Sequence, residues 1–151
     1  MFDLRPATMA DADQLFEWAN DPVTRANSRS TAAISRYEHQ RWMDLNVAHG
    51  YPTHLVMIAE NDYGPVGVVR FDADKFDILA FHVSLTVAPA ERAKGHGFAM
   101  LQHACQIMQD STLLAEIRSS NVASQQIFTK CGFESYDHRH GLILYRREPT
   151  G

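Results

Sequence analysis

The sequence predicts one domain of the mixed α/β class, a β-sheet covered by helices on both faces. Three observations carry that expectation. Segments with period-two apolar patterning alternate with segments whose apolar residues recur every three or four positions. The chain has 151 residues, one domain's worth, without internal repeat, low-complexity tract or linker. Its composition, 45% hydrophobic and 21% charged, is that of a globular protein and excludes wholesale disorder.

Residues 2–5 read as a short strand. Thr8 and Asp11 form a capping-box pattern ahead of Ala12, Leu15, Phe16 and Ala19, which predicts a helix over 9–19. Asn20-Asp21-Pro22 ends it, and the polar stretch 22–34 is expected to be an irregular surface loop. Ser35 and Glu38 repeat the capping pattern and open a helix to about residue 49. Residues 54–60 and 65–71 read as a hairpin around the Asn61-Asp62-Tyr63-Gly64 turn. A long strand is predicted over 76–87. Leu79, Phe81, Val83, Leu85 and Val87 make its apolar face; His82, Ser84 and Thr86 make the more polar one. A glycine-bearing loop then leads into a helix with the stripe Phe98, Leu101, Cys105 and Met108. Residues 113–118 follow as a strand and 121–130 as a helix closed by Gly132. Residues 133–137 and 142–146 are the closing strands around a turn at Gly141.

Composition removes several function classes. Acidic residues outnumber basic ones by 18 to 14, so no basic excess exists for a phosphate backbone and nucleic-acid binding is not expected. No unbroken apolar run, Ile78 to Phe81 included, comes near the length of a membrane span. The first residues do not form a signal peptide, which makes a cytoplasmic setting the expectation. Cys105 and Cys131 lack a CxxC pattern and read as packing residues. His138 and His140 share a strand face without a third ligand, and His39, His49, His54 and His103 lack metal spacing, so no metal site is expected.

The loop Val87-Ala88-Pro89-Ala90-Glu91-Arg92-Ala93-Lys94-Gly95-His96-Gly97 joins a strand to a helix. Glycines there allow close backbone approach to a ligand. The helix start aims free N–H groups and a positive dipole end at the loop, an arrangement suited to a pyrophosphate. Arg92 and Lys94 stand at its rim. A Walker loop is excluded because Gly97 is followed by Phe98-Ala99; a dinucleotide fingerprint is excluded because Met100 holds the third glycine place.

Arg92-x-x-Gly95-x-Gly97 resembles the coenzyme-A loop of the GNAT family of N-acetyltransferases. Asn121-x-x-Ser124-x-x-x-Phe128-x-Lys130-x-Gly132-Phe133 resembles that family's second motif, and Ala115-Glu116-Ile117-Arg118 its fifth strand. Order and spacing agree across residues 79–133. The resemblance implies a mostly antiparallel sheet whose fourth and fifth strands splay apart, with acetyl-CoA as cosubstrate in the gap. It implies that Leu85, Thr86 and Val87 supply backbone partners for the pantetheine. Arg92, Lys94, Gly95, His96, Gly97 and Phe98 would wrap the pyrophosphate, and Asn121, with Ser124 beside it, would reach the pantetheine. For Asn121 an ordinary helix cap is an equally open role. Phe128 stands on the cofactor side where many relatives have a tyrosine that protonates the departing thiolate. A thiol pKa of about 8.5 makes that help dispensable.

The implied acceptor is a small-molecule amine. An amine of lysine type has a pKa of about 10.4 and must lose a proton before it attacks. Glu116 is the first candidate base, as in several relatives, with pairing to Arg118 on the same strand face as the alternative. His82, on the polar face of the long strand, is the second. Residues 16–42 resemble the acceptor segment of enzymes that acetylate UDP-linked 4-amino sugars on the route to pseudaminic acid. On that reading Asn20, Arg25, His39 and Trp42 contact the acceptor, Arg25 gripping a diphosphate and His39 or Trp42 facing a uracil. Trp18 reads as a packing residue. N-terminal acetylation of a ribosomal protein and a catalytically silent acyl-CoA-binding module are the competing readings, and a homodimer is implied by the habit of many relatives.

Overall fold

The computed structural model describes residues 2–151. Among them one seven-stranded sheet contains β1 (Asp3–Pro6), β2 (His54–Asn61), β3 (Gly64–Ala73), β4 (Ala80–Val87), β5 (Thr112–Arg118), β6 (Glu134–Arg139) and β7 (Leu142–Arg147). The spatial order is β1-β2-β3-β4-β5-β7-β6. Every neighbouring pair is antiparallel except β4 with β5. The helices are α1 (Ala12–Ala19), α2 (Pro22–Asn27), α3 (Arg36–Met43), α4 (His96–Ile107) and α5 (Val122–Lys130).

Strand alternation sends successive side chains to opposite faces, and each face has its own core. Val69, Phe71, Val83, Leu113, Ala115 and Ile117 pack with Met100, Leu101 and Ala104 of α4 and Phe128 of α5. Val56, Ile58 and Val68 pack on the other face with Leu15 and Trp18 of α1 and Met43 of α3. Both capping patterns form. Asp11 accepts from the Thr8 N–H at 2.8 Å, and Ser35 and Glu38 exchange side-chain and backbone bonds at 3.1 and 3.3 Å. Gly132 closes α5 in the left-handed region at φ +89°.

Three expectations need correction. The stretch 22–34 is not irregular throughout, because Asp21 accepts from the N–H groups of Val23 and Thr24 and starts α2. The long strand begins at Ala80 rather than residue 76. Asp74 accepts from the Phe76 and Asp77 N–H groups and Asp77 from that of Leu79, which curls the segment into turns. Phe76, Ile78 and Leu79 are consequently exposed, Phe76 at 96%. The second helix leaves α geometry after Met43 and finishes as a π-helical turn over Asp44–Ala48.

Helix α4 sits on the sheet at Gly67, which faces Val87 across β3 and β4. A Cβ there would lie 2.5 Å from the Thr86 carbonyl oxygen and 2.7 Å from the Met100 methyl group. Gly67→Ala is therefore expected to cost about 1–3 kcal/mol, read as a lower urea midpoint at unchanged slope. A midpoint equal to wild type would show that the helix gives way without cost.

Candidate active site

The ladder between β4 and β5 is three pairs long: Ala80–Thr112, Phe81–Leu113 and His82–Leu114. Beyond it β4 stays with β3 as far as Val87 and β5 stays with β7 as far as Arg118. The two strands thus part after His82, leaving Val83–Val87 and residues 115–118 as the walls of a cleft.

The cofactor loop closes one end. A turn at Pro89–Glu91 is followed by Ala93 and Gly95 at φ +62° and +82°, and α4 starts at His96 without a side-chain cap. The N–H groups of its first turn are free to receive an anion. A Cβ at Gly97 would meet Ile127 Cδ1 at 2.9 Å, Val87 Cγ2 at 3.6 Å and Leu85 Cδ1 at 3.9 Å. Position 97 therefore looks onto the cleft wall, and its lack of a side chain keeps a cradle open for a slim ligand arm. Lys94 Nζ and His96 Nε2 both approach the Glu91 carboxylate at 3.4 Å. Asn121 caps α5, accepting from the Ser124 N–H at 3.2 Å and donating to Ser124 Oγ at 3.1 Å.

Two side chains expected on the cofactor side have partners within the protein. The Arg92 guanidinium does not sit at the loop's rim; it donates to Asp21 Oδ2 at 2.5 Å and to Thr24 Oγ1 at 3.2 Å. That bond holds the Asp21 carboxyl below the usual carboxylate range. Phe128 is buried and meets Phe133 edge-on at 5.0 Å, because an aromatic ring without a hydroxyl is best satisfied in the core.

The sheet face under α1 and α3 is polar beside the cleft. His82 Nε2 and Asp74 Oδ1 are hydrogen-bonded at 2.8 Å. That bond, with the backbone N–H groups of Phe76 and Asp77, holds the Asp74 carboxyl below its ordinary range. That carboxylate fixes the orientation of the His82 ring beside the cleft. In the same cross-strand row Asp72 bonds His54 Nδ1 at 2.7 Å and the Arg70 guanidinium at 2.7 Å. Arg70 lies 5.1 Å above the Trp42 ring. Glu116 lies two residues beyond the last β4–β5 pair, on the cleft wall. Its partner is Arg29 at 3.6 Å, not Arg118, which donates instead to the carbonyls of Ser28 and Arg29 at 2.7 and 3.1 Å.

Three of the four expected acceptor residues have partners within the protein. Arg25 spends its donors on the carbonyls of Ala19, Ser30 and Ala32 and on Ser28 Oγ, at 2.6–3.3 Å. Asn20 clamps the backbone of Ile34 through both its amide atoms at 2.7 and 2.9 Å. His39 is buried between Phe16 and Trp42 with Nε2 at 2.8 Å from the Ala12 carbonyl, joining α1 to α3. Trp42 is half-buried against the core under α1 and α3, with the Arg70 guanidinium over its ring. Sequence reasoning missed Arg29, Arg70, Asp72 and Asp74, and gave Arg118 a different partner. Residues 70 and 72 were detectable as the even positions of β3, in register with Ser84 and His82. A cavity of about 560 Å³ lies between α1 and the loop after β4, lined by Phe16, Asn20, Asp21 and Arg36 on one side and Pro89 and Glu91 on the other.

Among the described residues no three His, Cys, Asp or Glu side chains gather as a metal ion would require, and no helix is long and apolar enough to cross a membrane. Residues 2–134 match the family model described as an acetyltransferase (GNAT) domain. No curated protein matches the sequence. Among solved structures, the chain is similar to a provisionally assigned phosphinothricin N-acetyltransferase, with 21% identity, TM-score 0.84 and complete coverage of both chains. It is similar to AAC(6')-Ib in complex with ribostamycin and coenzyme A, at 17% identity and TM-score 0.83 over 98% of this chain and 93% of that one. It is also similar to the ribosomal-protein-alanine N-acetyltransferase of Brucella melitensis, at 21% identity and TM-score 0.80 over 97% and 99%.

Proposed function

We propose, from the premise that this chain belongs to the GNAT acetyltransferase family, that its acceptor is the primary amine of a nucleotide-linked amino sugar. The chain is an acetyl-CoA-dependent acetyltransferase; the sugar, the contacts and the catalytic roles are the proposal. When bound, acetyl-CoA supplies a thioester acyl group. The backbone of Leu85, Thr86 and Val87 lines one wall for its pantetheine, and the first-turn N–H groups of α4 at His96, Gly97 and Phe98 receive its pyrophosphate. Asn121 and Ser124 face the pantetheine while capping α5. Lys94 adds a cation beside the loop.

Glu116 removes the proton from the attacking amine, directly or through a water. The exposed Arg29 pairs with this carboxylate and leaves it open to the cleft. His82, held by Asp74 at the closed end of the cleft, is the second base. The departing thiolate takes its proton from water, since Phe128 has none to give.

One observation carries the acceptor reading: Arg70 lies over the Trp42 ring on the open polar face. The guanidinium held over that ring offers a plane on which a base can stack and a fork that suits a diphosphate. The test is a thiol-release assay run side by side with UDP-4-amino sugars and N-terminal peptides of ribosomal proteins. Turnover of the sugars is expected, with Trp42→Ala raising their KM about tenfold. Turnover of peptides alone, or sugar kinetics indifferent to Trp42→Ala, overturns the reading.

A further inference from the structure

Helix α2 has only six residues, none of them buried. A helix that short does not persist on its own propensity, and no apolar face pins this one to the sheet. Its position is therefore decided by polar ties, and these run to both sides of the cleft. At its start, Arg92 of the cofactor loop donates through one Nη to Asp21 at 2.5 Å and to Thr24 at 3.2 Å. Asp21 is simultaneously the cap that accepts from the Val23 and Thr24 N–H groups. Just past its end, Arg118 of β5 donates to the carbonyls of Ser28 and Arg29, and Arg29 pairs with Glu116. Between the two, Arg25 gathers the following loop onto the helix. The segment thus spans from the strand exit of β4 to the end of β5.

We propose that Arg92 is a positioning residue for the acceptor segment, holding α2 as a strap across the cleft instead of gripping the cofactor. Two features favour that division of labour. The Asp21 side chain is 17% exposed, so a carboxylate there needs its cationic partner. The anion site at the start of α4 is made of backbone N–H groups and does not need the guanidinium. The ion pair then joins the acceptor segment to the loop's backbone without drawing on the groups that receive the pyrophosphate. The inference rests on the acetyltransferase reading but not on the identity of the acceptor.

The test needs no acceptor. Amide exchange at residues 23–27 is followed by NMR in the wild type, Asp21→Asn, Arg92→Gln and the double variant, with and without coenzyme A. Asparagine keeps a capping oxygen and removes the charge, so Asp21→Asn isolates the ion pair from the cap. Each single variant is expected to speed exchange about tenfold, as loss of one charge-assisted hydrogen bond predicts, and the double no further than either single. Calorimetric affinity for coenzyme A should be unchanged in Asp21→Asn, and Arg92→Lys should recover part of the protection. If coenzyme A accelerates exchange at 23–27 in the wild type, the guanidinium has left Asp21 for the pyrophosphate and the proposal falls. It falls equally if Arg92→Gln weakens coenzyme-A binding and leaves the exchange untouched.

Discussion

A Gly97→Glu variant is expected to lose at least about a hundredfold in coenzyme-A affinity, about 2.7 kcal/mol at room temperature. Two effects act in the same direction. The side chain starts from a Cβ that already touches Ile127 Cδ1 and points between Leu85 and Val87, so a carboxylate continues into the cleft. Its charge then meets the pyrophosphate at the helix start, where the dipole and free N–H groups otherwise favour an anion. Gly97→Ala is the control: the flexible end of Ile127 can shift for a methyl group, so a much smaller loss is expected. Calorimetry reads both, with circular dichroism to establish folding. Wild-type affinity in a folded Gly97→Glu protein removes the loop from the cofactor site.

The second large effect is at Glu116. Glu116→Gln keeps the shape and removes the basic oxygen, so kcat is expected to fall about 10²–10⁴-fold while coenzyme-A affinity holds. The loss should be greatest at low pH, where the amine is most fully protonated. The structure removes the alternative in which Glu116 serves only to pair with Arg118, because that guanidinium is committed to the carbonyls of residues 28 and 29. His82→Gln gives the comparison. A larger loss there than at Glu116 would move the base to the His82–Asp74 pair.

Regular elements with an apolar face were legible from the sequence. The β2–β3 hairpin, α4 with Leu101 and Cys105 inward, and α5 closed by Gly132 follow from periodicity and from the conformational demand at one glycine. The turn of the glycine loop into α4 was legible because its constraint is local, since positive φ at Gly95 and close approach at Gly97 both require glycine. Helix α2 was not, because it is made by polar ties to residues up to 90 positions away and carries no periodicity. Phe76, Ile78 and Leu79 misled for the opposite reason: they look like strand residues, but the carboxylates of Asp74 and Asp77 fold their backbone into turns. The expected acceptor residues were legible by type, but their partners within the protein were not. Arginine and histidine suit a diphosphate and a base as well as they suit carbonyls, and residue type does not say which they meet.

A sheet that opens internally has four edges instead of two. The outer pair belongs to β1 and β6, and the inner pair begins where the ladder stops at His82 and Leu114. Unpaired amide and carbonyl groups along an edge are a template for any extended chain, including another protein's. The inner edges here are only four or five residues long and diverge, so a polypeptide strand finds little continuous register on either. A pantetheine arm carries just two amides and needs no more than that. The strap of α2 ties the far ends of both edges to one segment, which adds a barrier to strand addition. The geometry that makes the gap selective for a short amide-bearing arm also guards the protein against self-association through its own interior.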